Sequence, residues 1–338
     1  MYTDIPFWLS LVFMLGGLAA LAWSSDVFVD GAAAVAKLLG ISPFIIGMVI
    51  IGFGTSAPEL CVSTMSGLPG HSNLSLGNAY GSCIFNVAMI LGVATLIFPL
   101  VVKPSVSFVA GPGLAAVSLF SWWVLRDGVC SRTEAFILLG AFVVILPLYC
   151  WYDQKSKKEG DLAAPPKEDA EKPKVWLSLV KLVVGLGVLI GSSHFLVWGA
   201  VDFATFCGVS DLVIGLTIVA AGTSLPELAS AVASARRGEH EFVLGNIIGS
   251  NLFTTLAVVG LATSISPLVP KDGQPAFSHY ILTRDLPLMT ILSLSILLFG
   301  INWRHPKWPG AVQRKEAIVW IAVFVGYTLL MFYQETHG

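Results

Sequence analysis

The sequence predicts an all-α membrane protein of ten transmembrane helices in two inverted five-helix repeats. Three observations predict it. Hydrophobic residues make up 55% of the 338 and charged residues 12%, against roughly 25% charged in an ordinary soluble domain; the mean hydropathy is +0.80. Apolar runs recur at the length of about 20 residues that a spanning helix needs. The second half of the chain repeats the first at a fixed offset of 168 residues. A chain this apolar could not cover a soluble surface, which excludes a soluble enzyme, a nucleic-acid-binding module and a disordered scaffold. The net charge of −2 points away from a polyanionic partner such as nucleic acid.

The expected spans lie near 6–30, 43–66, 74–98, 106–125, 133–152, 175–201, 211–235, 243–266, 281–301 and 316–334. The first lacks a basic leader and runs past any plausible cleavage point, so it reads as a mature helix rather than a signal peptide. Lys and Arg set the orientation. With the N-terminus outside, the inside loops hold Lys37, Lys103, seven lysines between 155 and 181, Arg236, Arg237, Arg304, Lys307, Arg314 and Lys315; the outside loops hold Arg126, Arg132, Lys271 and Arg284. Both termini then fall outside. Residues 153–174, rich in Lys, Glu and Pro, read as a cytoplasmic linker between an N-terminal half (1–152) and a C-terminal half (175–338). Trp122, Trp123, Trp151, Trp176, Trp303 and Trp308 near span ends fit an interfacial belt. The five cysteines form no CxxC pair and read as small buried hydrophobes.

The repeat is ungapped. GTSAPEL at 54–60 returns as GTSLPEL at 222–228, and GNAYGSCIFN at 77–86 as GNIIGSNLFT at 245–254; over 41–100 against 209–268, 24 of 60 positions are identical. The repeat motifs thus occupy 43–98 and 211–266. Five spans per half make the second half enter the bilayer from the opposite side. Inverted repeats are a transporter signature, with the site at the midplane and alternating access following from the symmetry.

Glu59 and Glu227 fall deep in the second and seventh spans. A charge at the bilayer centre costs at least ~2.5–3.5 kcal/mol, so two repeat-equivalent carboxylates are best explained by a cation; the bland reading is a protonated, hydrogen-bonded pair. Each GTSxPE motif also brings two hydroxyls, Thr55 and Ser56 or Thr223 and Ser224. Thr55/Glu59 and Thr223/Glu227 are i,i+4 and share a helix face. Pro58 and Pro226 cannot donate to the carbonyls four residues back, at Gly54 and Gly222. Ser82 with Asn86, and Ser250 with Thr254, repeat the i,i+4 spacing in the third and eighth spans. Asn78 and Asn246 read as interhelical hydrogen-bonders more than as ligands. Asp26, matched to His194, reads as structural pairing or a hydrated interface rather than as a coupling-ion group. The set is all oxygen, suited to hard cations such as Ca²⁺ or Na⁺, and no His/Cys cluster suggests a soft metal.

At GTSAPE, GTSLPE and the two GNxxGS segments the sequence resembles the calcium/cation antiporter superfamily, most of all a prokaryotic sodium/calcium exchanger. The resemblance covers nearly the whole chain. It implies acidic ligands at Glu59 and Glu227, hydroxyl and carbonyl ligands at Thr55, Ser56, Thr223 and Ser224, a preceding carbonyl at Gly52 and Ala220, serine ligands at Ser82 and Ser250, and an amide ligand at Asn86. One position departs: Thr254 stands where the family carries an acidic or amide residue, which bears on coupling stoichiometry. The proton-coupled members carry a different, GNxxE-type motif, so the resemblance favours sodium coupling. The expected function is exchange of Ca²⁺ for Na⁺ across a bacterial or archaeal cytoplasmic membrane. The expected partners are those ions and the bilayer, with no cofactor, no nucleic acid and no required protein partner. A proton-coupled antiporter using the same two carboxylates is the alternative, and a cation channel with a similar oxygen cage is the reading from another class. No nucleophile–base set suggests an enzyme.

Overall fold

The computed structural model describes residues 6–67, 72–158, 174–207, 220–270 and 275–337. Among them lie α1 (Phe7–Leu39), α2 (Pro43–Thr55), α3 (Ala57–Gly67), α4 (Asn73–Ile97), α5 (Val106–Leu125), α6 (Arg132–Lys158), α7 (Val175–Phe206), α8 (Leu225–Arg236), α9 (His240–Ile265), α10 (Ile281–Gly300) and α11 (Arg314–His337). Eight are long and apolar enough to cross a membrane, and a ninth span results if α2 and α3, bent by 43° at their junction, count as one. The expected seventh span, 211–235, lies partly outside the described residues; its described part is the turn Ala220–Gly222 and α8. The molecule is a helical, multi-pass membrane protein.

Local chemistry sets several boundaries. The first helix does not stop at residue 30 as its apolar run suggests. It continues for 33 residues to Gly40, which caps it in the left-handed region at φ 65°. At 1.5 Å per residue that is about 50 Å, longer than the ~30 Å hydrocarbon core, so α1 must tilt or project. Ser42 caps α2, accepting from the Ile45 N–H at 3.2 Å ahead of Pro43. Ser131 and Glu134 form a reciprocal capping box at the start of α6, with Glu134 Oε2 accepting from the Ser131 N–H at 2.7 Å. That helix runs to Lys158, so the expected linker start at 153 is helical; its core, 159–173, lies outside the described residues.

Glycines allow close approach in two of the seams along which the half-chains meet. In the first, α1 packs antiparallel along α7. A Cβ on Gly17 would stand 2.7 Å from the Leu196 nitrogen, and one on Gly185 2.7 Å from the Phe28 nitrogen; Gly31 meets Leu182 at 2.5 Å and Gly199 meets Met14 at 2.6 Å. Each glycine thus lets its partner's backbone approach directly. In the second seam Gly245 and Gly249 of α9 press against Phe44 and Met48 of α2. The central stretch of α9 is wholly buried, whereas α1, α6, α7 and α11 are largely exposed, the burial expected of helices facing lipid. Trp8, Trp123, Trp151, Trp176, Trp303 and Trp308 are exposed. Contrary to the expectation of buried cysteines, Cys61 and Cys207 are exposed; Cys83 and Cys130 are buried.

Outside the helices, β1 (Leu100–Val102) pairs antiparallel with β2 (Gly310–Val312), and Cys130 bridges to Leu268, 168 residues after Leu100. Among the described ion pairs, Arg237 bonds Asp30 and the Asp26 carbonyl, Lys181 lies 3.7 Å from Asp30, Lys103 lies 2.7 Å from Glu241, and Arg284 lies 2.6 Å from Asp285. The Asp26 side chain lies 3.5 Å from Arg237 and is partly exposed, which fits structural pairing at a hydrated interface.

Candidate cation site

The site is built on two helix breaks. Ser56, between α2 and α3, has φ −82° and ψ 8°; Ser224, before α8, has φ −94° and ψ 10°. Both lie in the sparsely populated bridge region, two residues before a proline. Each break starts a fresh helix, with Glu59 in the first turn of α3 and Glu227 in the first turn of α8. The unpaired N–H groups and positive dipole end there stabilise a nearby carboxylate by roughly 0.3–1 kcal/mol, offsetting part of its cost in the bilayer.

The carboxylates are buried, with Glu59 1% and Glu227 0% exposed. Their hydrogen bonds cross between halves. Ser224 Oγ donates to Glu59 Oε1 at 2.9 Å, and Ser56 Oγ donates to Glu227 Oε1 at 3.0 Å. Ser250 Oγ lies 3.2 Å from the same Glu227 oxygen and 3.4 Å from the Gly52 carbonyl, and it touches the Ser56 hydroxyl. One oxygen of each carboxylate is thereby held, while Glu59 Oε2 and Glu227 Oε2 are buried and, among the described residues, have no partner. Asn86 Oδ1 and Thr254 Oγ1 are in the same condition. A buried unpaired polar atom ordinarily costs about 1–3 kcal/mol, so four such oxygens are unfavourable unless something fills them. All four are hard oxygens, two from carboxylates, one from an amide carbonyl and one from a hydroxyl that can turn its lone pairs inward, a donor set that suits a hard cation.

The expected residues divide. Glu59, Glu227, Ser56, Ser224, Ser250 and Gly52 form one hydrogen-bonded set. Asn86 and Thr254 sit in or beside widened, π-type turns, Asn86–Leu91 and Phe253–Val258, of the kind often found at functional sites. The first turn packs against α8, the second against α3. Thr55 departs from the i,i+4 expectation: the break at Ser56 interrupts the helix face it would share with Glu59. Its hydroxyl instead donates to Ile51 O at 2.9 Å and lies 3.4 Å from Asn246 Oδ1. Thr223 is half-buried, unlike fully buried Thr55. Ser82 is buried but, among the described residues, is not bonded to either carboxylate, so Ser250 has no counterpart in that role. Ala220 opens the helical turn preceding the second break. The asparagines of the two GN pairs brace the site: Asn78 Nδ2 donates to the Glu59 carbonyl at 3.3 Å and Asn246 Nδ2 to the Glu227 carbonyl at 3.4 Å. No group of three or more His, Cys, Asp or Glu able to hold a metal occurs among the described residues.

One residue escaped the sequence reading. Asn251 is fully buried, accepts from Asn86 Nδ2 at 2.9 Å and donates to the Cys83 carbonyl at 3.0 Å. Its signal was an amide one residue past Ser250, where the first repeat has Cys83.

Residues 9–151 and 177–333 match the sequence profile described as sodium/calcium exchanger protein. The chain is 38% identical over 322 residues to CaxA of Alkalimonas amylolytica, covering 95% of this chain and 98% of that protein. It is 29% identical to the sodium/calcium exchanger MaX1 of Methanosarcina acetivorans, over 96% of this chain and 99% of that one. Among solved structures it resembles the sodium-calcium exchanger NCX_Mj, with a TM-score of 0.78 at 28% identity, covering 95% of this chain and 97% of that one.

Proposed function

This chain belongs to the sodium/calcium exchanger protein family, and we propose that it is a secondary active antiporter exchanging Ca²⁺ for Na⁺ by alternating access. The reading rests chiefly on the crossed carboxylate clasp: two buried glutamates, each tied by one oxygen to a serine of the other half, each with its second oxygen unpartnered among the described residues. A charge of −2 balances one Ca²⁺ or two Na⁺, so either load removes the same penalty, and competition for one site couples the two fluxes. The ligand set comprises Glu59 and Glu227 with the oxygens of Ser56, Ser224, Ser250, Asn86, Thr254 and Gly52; Thr55, Thr223, Ser82 and Ala220 line the same region. The solved structure of NCX_Mj, a sodium-calcium exchanger described in terms of extracellular ion exchange and binding-site occlusion and soaked with Na⁺ and Sr²⁺, supports the reading.

The architecture proposed with it is ten spans in two inverted five-helix repeats, 1–152 and 175–338, joined by a cytoplasmic linker at 153–174, with both termini outside. Reciprocal contacts at the 168 offset support it: Gly17–Leu196 with Gly185–Phe28, Gly31–Leu182 with Gly199–Met14, and the two crossed serine–glutamate bonds. The long α1–α7 pair then moves against the rest of the bundle to expose the site to either side.

The deciding measurement is Ca²⁺ flux into proteoliposomes under imposed Na⁺ or H⁺ gradients. Acceleration by an outward Na⁺ gradient alone is the expected result; acceleration by H⁺ alone would replace the coupling ion, and Ca²⁺ leak without any trans cation would indicate a channel. For topology, single cysteines placed in 155–172, in a background lacking the native five, should react with an impermeant thiol reagent only from the cytoplasmic side. Cysteines at Gln334 or Thr336 should react only from outside. Opposite labelling overturns the orientation. Thr254→Val, nearly isosteric but without the hydroxyl, should raise the half-saturating Na⁺ concentration several-fold, as loss of one ~1 kcal/mol contact predicts, while shifting Ca²⁺ less. Unchanged Na⁺ dependence would make Thr254 a packing residue.

A further inference from the structure

We infer that Asn251 is a positioning residue of the cation site: it fixes the amide of Asn86 so that the Asn86 carbonyl oxygen faces the ion. The inference rests on the transport reading above and extends it to a residue that touches no ion. Its logic starts at a group with no choice. The Cys83 backbone carbonyl can only accept a hydrogen bond, so the Asn251 atom 3.0 Å from it must be the –NH₂ group. Asn251 therefore presents its oxygen on the other side, and that oxygen must accept. The Asn86 atom 2.9 Å away is accordingly its Nδ2. Asn86 is then left with its oxygen turned elsewhere, and that oxygen is one of the buried atoms without a partner. Rotating the Asn86 amide by 180° would set two oxygens against each other, so the chain Cys83 O, Asn251, Asn86 permits one orientation.

The arrangement is one-sided. In the first repeat the position of Asn251 is held by Cys83, and that of Asn86 by Thr254 in the second. The Cys83 thiol lies 3.6 Å from Thr255 and 3.8 Å from the Asn251 carbonyl. A thiol at these distances orients no amide, and Thr254 carries none to orient. Asn86 is thus the amide ligand that needs a fixed direction, and Asn251 supplies it. Groups that orient metal ligands are commonly worth 10–100-fold in metal affinity.

The test is Ca²⁺ and Na⁺ titration of the purified full-length protein in detergent, paired with Na⁺-driven Ca²⁺ flux in proteoliposomes. Asn251→Ala and Asn251→Cys, the second borrowing the residue of the first repeat, should each weaken the half-saturating concentration of at least one cation by about ten-fold. Asn86→Ala should do the same, and the double variant Asn86→Ala/Asn251→Ala should be no weaker than Asn86→Ala alone, because Asn251 acts only through Asn86. Parental affinity in both Asn251 variants, losses that multiply in the double variant, or aggregation of both Asn251 variants on size exclusion would each overturn the assignment. Glu59→Gln, run alongside, separates the two levels: if it binds and transports like the parent the transport site is elsewhere, whereas a silent Asn251 beside a disabled Glu59 variant sinks this inference alone.

Discussion

Glu59→Gln and Glu227→Gln are each expected to reduce Na⁺-driven Ca²⁺ flux to background while leaving the protein folded. Both carboxylates are buried and, among the described residues, each keeps one oxygen unpartnered, so with a cation bound each supplies its charge in a poorly screened place. A unit charge about 4 Å away at an effective dielectric near 20 is worth ~4 kcal/mol to a monovalent ion, roughly a thousand-fold in binding. The same geometry is worth twice that energy to a divalent ion. Ca²⁺ affinity should therefore fall far more than Na⁺ affinity in either variant, a ratio that separates a charge effect from a distorted site. Folding survives because the amide oxygen still accepts from Ser224 or Ser56 and an amide is cheaper to bury than a carboxylate. The checks are flux in proteoliposomes, cation titration in detergent and thermal unfolding of each variant. Normal Ca²⁺ flux in either would remove that glutamate from the site; equal losses for Ca²⁺ and Na⁺ would point to structural damage.

The legible part of this molecule is the part written as composition and as repetition. Glu59 and Glu227 stood out because a charge in an apolar run has few excuses, and the 168 offset marked their companions. The break at Ser56 and Ser224 was half legible: Gly and Pro around each serine weaken the helix, but which residue takes the bridge-region dihedrals depends on what its hydroxyl can reach, and each reaches a carboxylate of the other half. Crossing of that kind is tertiary and leaves no spacing in the sequence. For the same reason the helix face that Thr55 would share with Glu59, and the equivalence of Ser82 with Ser250, do not follow from spacing alone: α2 breaks at Ser56, and Ser250 bonds Glu227 where, among the described residues, Ser82 bonds neither carboxylate. Helix length was underestimated because hydrophobicity ends at the membrane surface and helix propensity does not. α1 runs on through Asp30 and Lys37 until Gly40 stops it, and α6 runs on through Gln154 and Lys155.

The gate proposed for the α1–α7 pair can be jammed without touching the site. Gly17, Gly31, Gly185 and Gly199 each face a backbone of the opposite helix, with a hypothetical Cβ 2.5–2.7 Å from a main-chain nitrogen. Backbone cannot swing aside as a side-chain tip can, so Gly31→Leu or Gly199→Leu must push the helices apart, an overpacking typically costing about 1–3 kcal/mol. The seam is nearly as long as the helices, and widening it changes how the pair rides against α2 and α8. The expected result is near-complete loss of Ca²⁺ flux with Ca²⁺ binding in detergent kept within a few-fold of the parent, because Glu59, Glu227 and their serines belong to α3, α8, α9 and the two breaks rather than to the seam. Gly16 and Gly187, on the same two helices, meet nothing within 4 Å, so Gly16→Ala and Gly187→Ala should transport normally and report that a methyl on these helices is harmless in itself. If the leucine variants transport like the parent, close backbone contact is not what the movement requires; if they lose Ca²⁺ binding as fully as flux, the seam is part of the scaffold that shapes the site, and a sliding pair is the wrong description of α1 and α7.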